Sequence, residues 1–329
     1  MKQLLSRLFQ HEKLNQEEAK QILIRIANKE FNNSQIASFL TVFLMRPITV
    51  NELAGFREAL LALALKVDLS EFNTIDLCGT GGDGKNTFNI STLTSFVVAG
   101  TGHKVAKHGN YGVSSASGSS NMLEYLGYQF TNDESTLKHQ LEKANICFLH
   151  APLFHPAMAA VGPVRKEMGV KTFFNMLGPL VNPSCPQNQL VGVFNMQVGR
   201  LYKNILSKTS DNFAVVHALD GYDEISLTGP FKIYSKEDEQ IIAPKDIGIQ
   251  PIEPSAIFGG NNVPEAAAIF TSILDGKGTD AQNNVVLTNA AFALKTFDAN
   301  ISFKEAFATA KDSLMKGKAK ACLSKLVND

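Results

Sequence analysis

The fold is decided by a glycine-rich stretch that reads Cys78-Gly79-Thr80-Gly81-Gly82-Asp83-Gly84-Lys85-Asn86-Thr87-Phe88-Asn89-Ile90-Ser91-Thr92. It follows the short apolar run Ile75-Asp76-Leu77 and precedes a helical pattern from Leu93 to Ala99. Strand, glycine turn and helix in this order leave backbone N–H groups unpaired beside the positive end of the helix dipole, which is the arrangement of an anion site. The pattern therefore predicts phosphate binding, in preference to a plain surface loop rich in Gly and Ser.

Two familiar phosphate motifs overlap in this stretch, and each lacks its decisive residue. Gly79-x-Gly81-x-x-Gly84 matches the dinucleotide fingerprint, which requires an acidic residue about twenty positions later. The first acidic residue after Asp83 is Glu124. The P-loop pattern ends in Ser or Thr after its lysine, where this chain has Asn86. Neither nucleotide motif is therefore complete.

The segment from Gly84 to Leu123 contains no carboxylate. Its basic and imidazole side chains are Lys85, His103, Lys104, Lys107 and His108. Many Ser, Thr, Asn and Gly residues lie between them, so the composition favours a polyanionic ligand.

Length and composition set further bounds. The chain has 329 residues, of which 44% are hydrophobic, so it can bury a substantial core in one large or two associated domains. The 31 basic and 31 acidic residues balance, so charge does not indicate a nucleic-acid or anionic-membrane partner. The longest apolar run, Ala59 to Leu65, is too short to span a bilayer, and Met1 to Lys13 lacks a signal-peptide core.

The four cysteines are far apart and form no C-x-x-C pair. They argue against a zinc site or a disulfide framework. Unpaired thiols are typical of a reducing compartment, so we expect a cytoplasmic protein.

The N-terminal region is predicted to be helical. Asn15 with Glu18 and Thr49 with Glu52 have the spacing of capping boxes, and Ser34 is predicted to cap a helix between them. The apolar faces of these helices need a partner surface, which makes a helical subdomain that also supplies a homodimer face plausible.

From Asn73 onward, short apolar runs alternate with helical segments, the pattern of a parallel α/β domain. The predicted strands are Thr74–Leu77, Lys104–Ala106, Ile146–Leu149, Leu190–Phe194, Phe213–His217 and Lys232–Tyr234. Near the C-terminus, Pro264 is predicted to open one helix, Asp280–Phe297 to form a second, and Ser302 with Glu305 to cap a third.

Several blocks, in order along the chain, resemble anthranilate phosphoribosyltransferases. They are Gly79-Thr80-Gly81-Gly82-Asp83, Asn89-Ile90-Ser91-Thr92, Lys107-His108-Gly109-Asn110, Phe174-Asn175-Met176-Leu177-Gly178-Pro179-Leu180-Val181-Asn182-Pro183 and Asp223-Glu224. The resemblance implies an α/β fold class with a small helical domain, residues 1–70 joined by part of 156–185, and a larger α/β domain, residues 71–329. Its mostly parallel sheet would carry an active site in the cleft between the domains.

The resemblance also implies a reaction: transfer of the 5-phosphoribosyl group from phosphoribosyl pyrophosphate to the amino group of anthranilate, in the tryptophan pathway. The donor-binding residues it implies are Gly79, Gly82, Asp83, Thr87, Asn89, Ile90, Ser91, Thr92, Lys107, His108, Gly109, Asn110, Tyr111, Gly112, Val113, Ser114, Ser115 and Ser119. It implies that Gly79, Asn110 and Arg165 contact anthranilate, and the planar guanidinium of Arg165 suits a carboxylate.

Magnesium, expected as two ions bound with the donor, is assigned to Ser91, Asp223 and Glu224. A carboxylate pair is enough, since Mg²⁺ takes its other ligands from phosphate and water. An acidic turn exposed to solvent is the simpler interpretation of Asp223-Glu224 from the residues alone, and the resemblance reverses that preference.

Two features qualify the resemblance. The family commonly has arginine after Lys-His-Gly-Asn, where this chain has Tyr111, so the loop contacts there are expected to differ. His108 is assigned no obligatory acid or base role, because a histidine beside a phosphate loop more often donates a hydrogen bond or packs. An aromatic amine needs little activation, and positioning with electrostatic stabilisation should supply most of the catalysis.

Two alternatives belong to other classes. A pyrimidine nucleoside phosphorylase-like enzyme would share the architecture, but the Gly79–Asp83, Lys107–Asn110 and Asp223-Glu224 blocks suit a magnesium-pyrophosphate donor better. A non-enzymatic relative that binds nucleic acid would be expected to carry a basic face, and the balanced charge speaks against it.

Overall fold

The computed structural model describes residues 1–112 and 117–328, which divide into two compact units. The helical unit comprises Met1–Lys66 and Ala151–Pro183. The α/β unit comprises Val67–His150 and Ser184–Asp329.

Helices build the helical unit. Numbered along the chain, they are α1 (Lys2–Phe9), α2 (Gln16–Ala27), α3 (Asn33–Met45), α4 (Val50–Leu63), α8 (Ala151–Phe154) and α9 (Gly162–Met168). The core contains a cluster of phenylalanines from α3, α4 and the second segment, in which Phe56 stacks on Phe173 with ring centroids 4.4 Å apart. Phe39 and Phe43 meet the same ring edge-on. Aromatic burial therefore joins two segments that are distant in sequence.

The N-cap residues of these helices can be compared with the predicted helix starts. The capping boxes of Asn15 with Glu18 and of Thr49 with Glu52 are both confirmed. The predicted cap at Ser34 is wrong, because Asn32 caps α3 and forms a capping box with Gln35. Asn and Ser are comparable caps, so the sequence offers two helix starts two residues apart, and only the path of the chain selects between them.

A seven-stranded sheet organises the α/β unit. The strands are β1 (Thr74–Gly79), β2 (Lys104–Gly109), β3 (Ile146–His150), β4 (Asn188–Gly192), β5 (Asn212–Ala218), β6 (Phe231–Tyr234) and β7 (Glu239–Ile242). Their order is β3-β2-β1-β4-β5-β6-β7, with β1 to β5 parallel and β6 and β7 antiparallel.

The six predicted strands all occur, with ends shifted by up to three residues, whereas β7 was not predicted. The sequence of β7, Glu-Gln-Ile-Ile, lacks an alternating pattern, and its side chains are mostly exposed at the edge of the sheet. Pairing with β6 alone makes this segment a strand.

The remaining helices belong to the α/β unit. They are α5 (Ile90–Gly100), α6 (Ser119–Tyr125), α7 (Glu134–Ala144), α10 (Met196–Thr209), α11 (Val263–Leu274), α12 (Asp280–Phe297), α13 (Phe303–Met315) and α14 (Lys318–Val327). α12 has the predicted bounds, α11 begins one residue before Pro264, and Ser302 with Glu305 caps α13 as predicted. Most residues of α5 and α12 are buried. Within the described part of the chain, no helix is long and apolar enough to cross a membrane.

Candidate functional site

The glycine-rich stretch lies where the strand order reverses. β1 has β2 on one side and β4 on the other, so the chain builds the sheet outward from β1 in both directions. Open α/β sheets bind ligands at such a point, beyond the carboxyl ends of the strands. The turn leaves β1 at Gly79, which pairs with Gly192 at the end of β4, and Thr80 N donates to Gly192 O at 2.9 Å.

Glycine is required in this turn for two reasons. Gly81, Gly82 and Gly84 have φ of +64°, +74° and +76°, in the left-handed region that favours glycine. A Cβ on Gly79 would meet Asp223 Oδ2 at 2.3 Å. The positive φ values allow the backbone to form the turn, and the absence of a side chain at Gly79 allows the turn to approach Asp223.

Asp83 and Asp223 link the glycine turn to the turn that follows β5. Asp223 Oδ2 accepts from Gly81 N at 2.6 Å, and Asp83 Oδ2 accepts from Asp223 N at 3.5 Å. The other oxygen of Asp83 accepts from Lys85 N at 3.0 Å. Residues about 140 positions apart thus form one acidic group at the ends of two strands.

The carboxylates of this group destabilise one another's charged forms. Burial, together with the charge of Asp83, raises the pKa of the Asp223 carboxyl above its ordinary value. Burial and the charge of Asp223 raise the pKa of the Glu224 carboxyl, while Lys107 and a hydrogen bond with Ser91 oppose the rise. A divalent cation would relieve this repulsion, so the oxygen donors present are suited to Mg²⁺.

The predicted metal residues do not form a complete cage. Among residues 1–112 and 117–328, no group of three or more His, Cys, Asp or Glu side chains is arranged to hold a metal ion. The structure brings Ser91, Asp223 and Glu224 together as one acid-hydroxyl group. A cation here would need further oxygen ligands from a substrate or water.

The N-terminus of α5 lies beside this group, as predicted for Asn89 to Thr92. Asn89 is the N-cap residue, but its side chain makes no cap hydrogen bond and instead donates to Ser117 O at 3.0 Å. Ile90 and Thr92 are buried, so Ile90 can offer a ligand only its backbone. Thr87, just before the helix, pairs with Phe258 in an isolated β-bridge.

Lys107 and His108 occupy the end of β2, where the sequence placed phosphate ligands. Lys107 is 1% exposed, and its Nζ donates to the carbonyl oxygen of Leu77 at the end of β1. The His108 backbone N donates to the buried carboxylate of Asp76 at 3.0 Å. The Lys107 ammonium therefore lies at the end of β1, where the strand order reverses. The backbone of His108 stabilises the pairing of β1 with β2.

The loop after β2 is held by a residue that the sequence analysis missed. Asn121 Oδ1 accepts from both Gly112 N and Gly118 N, at 2.9 and 3.0 Å. It thereby ties the two ends of the loop together. The predicted donor ligands Val113, Ser114 and Ser115 lie outside the described residues.

Within that loop, Asn110 and Tyr111 make different contacts. Asn110 Oδ1 accepts from Tyr111 N at 2.8 Å, and Asn110 O accepts from the backbone of Ser120 and the hydroxyl of Ser119. The Tyr111 ring is 40% exposed and meets His150 edge-on at 5.0 Å. Tyr111 therefore gives the loop an aromatic anchor in the position where the family commonly has arginine. A Cβ on Gly109 would meet the Ser119 hydroxyl, so the loop ends are closely packed.

Arg165 belongs to the helical unit, on α9. Its guanidinium lies 5.2 Å from the centroid of the Phe174 ring and donates to Asn175 Oδ1 at 3.5 Å. Burial lowers the pKa of this guanidinium. Within the described ranges, none of its contacts is with a carboxylate. A partly buried arginine with this set of contacts is suited to an anionic ligand.

Comparison with known families now defines the class. Residues 71–320 match the family described as "Glycosyl transferase family, a/b domain", and residues 2–64 match "Glycosyl transferase family, helical bundle domain". The chain therefore belongs to a class of glycosyltransferases that has a helical part and an α/β part.

Individual relatives narrow this class. Proteins named anthranilate phosphoribosyltransferase from Flavobacterium johnsoniae and Bacteroides fragilis (strain YCH46) are 60% and 52% identical to the chain; each alignment covers 99% of it, and 98% and 99% of the relative. The chain belongs to the anthranilate phosphoribosyltransferase family and is an enzyme of that family.

Solved structures agree with this assignment. The Thermus thermophilus anthranilate phosphoribosyltransferase superposes with a TM-score of 0.92 at 31% identity, covering 98% of both chains. The Saccharomyces cerevisiae enzyme, determined in complex with PRPP and Mg, gives a TM-score of 0.90 at 26% identity and covers 98% of this chain and 96% of its own. The predicted fold class, a helical domain and a larger α/β domain with a mostly parallel sheet, is confirmed.

Proposed function

We propose that the chain transfers the 5-phosphoribosyl group of phosphoribosyl pyrophosphate to the amino group of anthranilate, releasing pyrophosphate, in the second step of tryptophan biosynthesis from chorismate. The observation that carries this proposal is the joining of an anion-binding glycine turn to a buried acidic pair at one switch point. A phosphate donor and its metal would need both features in one place.

The donor is proposed to bind the glycine turn, the N-terminus of α5 and the end of β2. Backbone N–H groups of the turn and the helix dipole favour phosphate. Lys107, buried beside Leu77 O, adds a positive charge that is screened little by solvent. Asp83 is proposed to accept from a ribose hydroxyl, because a carboxylate would repel phosphate.

Magnesium is proposed to bind at Ser91, Asp223 and Glu224, with two ions per donor. The yeast relative's structure contains PRPP and Mg, which supports magnesium use here. The metal would supply charge neutralisation on the departing pyrophosphate. The chain's own contribution is to hold the Asp223 carboxylate at the strand ends through the bond from Gly81 N, while Glu224 is hydrogen-bonded with Ser91.

The acceptor is proposed to bind Arg165, Asn110 and Gly79. The yeast enzyme has also been determined in complex with 4-fluoroanthranilate, which supports an aromatic acid as ligand. Arg165 would hold the carboxylate of the substrate through two parallel N–H groups. The side-chain oxygen of Asn110 is engaged by Tyr111 N, so its NH₂ group is the one offered to a ligand.

Positioning and electrostatics are proposed to provide the rate enhancement, without an obligatory protein base. The aniline-type amine is nucleophilic when unprotonated, so the demanding event is loss of pyrophosphate as positive charge grows on the ribose. His108 is therefore left outside the reaction.

Further proposals concern the whole chain. Residues 1–70 with part of 156–185 would form the helical domain and 71–329 the donor-binding domain. The N-terminal helices expose Phe9 and Met45, at 61% and 79%, which supports a homodimer through these helices. A cytoplasmic location suits the free cysteines.

A direct assay tests the function. Anthranilate fluorescence should fall when the purified chain is given phosphoribosyl pyrophosphate with magnesium, and should persist without magnesium or without the donor. A pyrimidine nucleoside with phosphate is the comparison substrate for the nucleoside phosphorylase alternative. Phosphorolysis of that nucleoside together with stable anthranilate fluorescence would overturn the proposal.

The acceptor assignment has its own test. Arg165→Ala should raise the KM for anthranilate, while aniline, which lacks the carboxylate, should be a poor substrate for the parent and lose little more in the variant, because each change removes the same interaction. Lys166→Ala, an exposed neighbour on α9, is the matched control and should behave as the parent. Equal losses for both acceptors would assign Arg165 to the fold or the donor.

A further inference from the structure

Lys85 and Tyr222 form a contact between the two turns of the site that neither motif analysis nor the proposed function uses. Lys85 Nζ lies 4.6 Å from the centroid of the Tyr222 ring, within cation–π range. Tyr222 is 6% exposed, packs in the hydrophobic core of the α/β unit and directly precedes Asp223. The core packing therefore holds the Tyr222 ring in place, and the flexible side chain of Lys85 extends to it.

The lysine side chain passes beside Gly221 on its way to the ring. Gly221 has φ +100°, and a Cβ placed there would lie 3.7 Å from Lys85 Cε. The stem of Lys85 therefore passes close over the bare backbone of Gly221 before its ammonium reaches the ring. Within the described part of the chain, no ion pair holds this ammonium, so the ring is its identified partner.

The backbone on both sides is already tied by Asp83. Its carboxylate accepts from Lys85 N and from Asp223 N, at 3.0 and 3.5 Å. This link is made by a carboxylate that is itself repelled by the acidic pair. The Lys85 ammonium, through its contact with the Tyr222 ring, is placed to add a second link between the two turns.

We propose that Lys85 is a positioning residue, whose ammonium on the Tyr222 ring holds the 220–224 turn against the glycine turn and so sets the spacing of Asp223 and Glu224 for a divalent cation. The proposal rests on the proposed function only for its magnesium readout. Without the contact, the bonds from Gly81 N to Asp223 and from Asp223 N to Asp83 would have to hold two turns that carry like charges.

Amide hydrogen exchange on the metal-free protein tests the contact without any activity. In Lys85→Met, which keeps the length of the stem but removes the charge, peptides covering residues 79–88 and 219–226 should exchange about fivefold faster, equivalent to about 1 kcal/mol. Tyr222→Leu should have a similar effect, and the double variant should add little to either single change.

Two conservative variants serve as matched controls. Lys85→Arg keeps a cation and Tyr222→Phe keeps the ring face, so both should exchange like the parent. In the assay, the magnesium concentration for half-maximal rate should rise about fivefold in Lys85→Met and Tyr222→Leu, with an unchanged KM for anthranilate.

Two results would overturn the proposal. One is parent-like exchange in Lys85→Met, which decides the matter even if Tyr222→Leu does not fold. The other is weaker binding of pyrophosphate, measured by calorimetry without magnesium, in Lys85→Met but not in Tyr222→Leu, since the lysine would then be a phosphate ligand. A chain with the expected exchange and no transferase activity would instead count against the proposed function alone.

Discussion

Glu52 in the helical unit and Asp223, which is paired with Glu224 in the α/β unit, are buried acids in contrasting surroundings. Burial alone would raise the pKa of Glu52, but hydrogen bonds from Arg46, Thr49 and the Leu14 backbone lower it below its ordinary value. The pKa of each carboxyl in the pair is raised. The charge of Glu52 is balanced by Arg46 within the fold, whereas a divalent cation would stabilise the charged forms of the pair. Buried charge thus serves the fold in one unit and is available for chemistry in the other.

The largest effect should come from Glu52→Gln, which leaves the Arg46 guanidinium buried without its carboxylate. Arg46 Nη2 lies 2.6 Å from Glu52 Oε1, with side-chain exposures of 9% and 0%. We expect the free energy of unfolding to fall by about 3–5 kcal/mol, measured by urea denaturation. Glu305→Gln, the exposed third residue of another capping box, is the matched control and should cost less than about 1 kcal/mol. If both variants lost the same unfolding free energy, the contribution of Glu52 would be that of a capping residue alone.

The same pair predicts a pH dependence. Because the folded pKa of Glu52 is depressed, its stabilisation is complete above the pKa of an unfolded glutamate, about 4.3, and is lost as the pH falls through the folded value. The stability difference between parent and Glu52→Gln should therefore shrink as the pH is lowered from about 5 to about 3. A difference that stays constant over this range would contradict the charge-based explanation.

Neutralising the acidic pair should lower activity and not stability, the opposite of the effect expected at Glu52. Asp223→Asn with Glu224→Gln should lower the transfer rate at fixed magnesium about a hundredfold and raise the magnesium requirement. Its unfolding free energy should not fall, because neutral replacements remove mutual repulsion. Asp220→Asn, in the same turn, is the control, since Asp220 accepts a local bond from Thr228. If the magnesium dependence of the rate were unchanged in the double variant, Asp223 and Glu224 would not be magnesium ligands.

A smaller and selective effect is expected at Lys107. Lys107→Met should weaken donor binding about tenfold in calorimetry and leave the KM for anthranilate unchanged, because its ammonium lies at the switch point. Lys104→Met is matched on the same strand, where Lys104 Nζ donates to Leu141 O and Asn145 Oδ1. Equal weakening of donor and acceptor binding would indicate general damage instead.

The smallest effect concerns the start of α3. Asn32→Ala should cost about 1 kcal/mol of unfolding free energy, because Asn32 Oδ1 accepts from Gln35 N. Ser34→Ala, the residue that the sequence favoured as the cap, should change thermal stability little, since its side chain does not cap the helix. A larger stability loss in Ser34→Ala than in Asn32→Ala would indicate that Ser34 caps the helix.

Local features could be predicted because their causes lie within a few residues. The capping boxes at Asn15 and Thr49 depend on a three-residue spacing, and the β1–α5 turn on consecutive glycines. Features that depend on partners were missed or misplaced. β7 exists through its pairing with β6, and Asn121 matters because it bonds two glycines that the fold brings near it.

By itself, the sequence determined an α/β chain with an anion-binding turn after β1, since the order of strand, glycines and helix is written in neighbouring residues. It also supplied Asp223-Glu224, without a reason to separate a metal site from an acidic turn exposed to solvent. Only the tertiary structure showed that Asp223 is buried and bonded to the glycine turn, and not exposed to solvent. The parallel pairing of β1 with β4 and of β4 with β5 brings strand ends together, so that Gly81 N meets the Asp223 carboxylate. Repulsion depends on distance through space, and residues 140 positions apart in sequence acquire that distance only on folding.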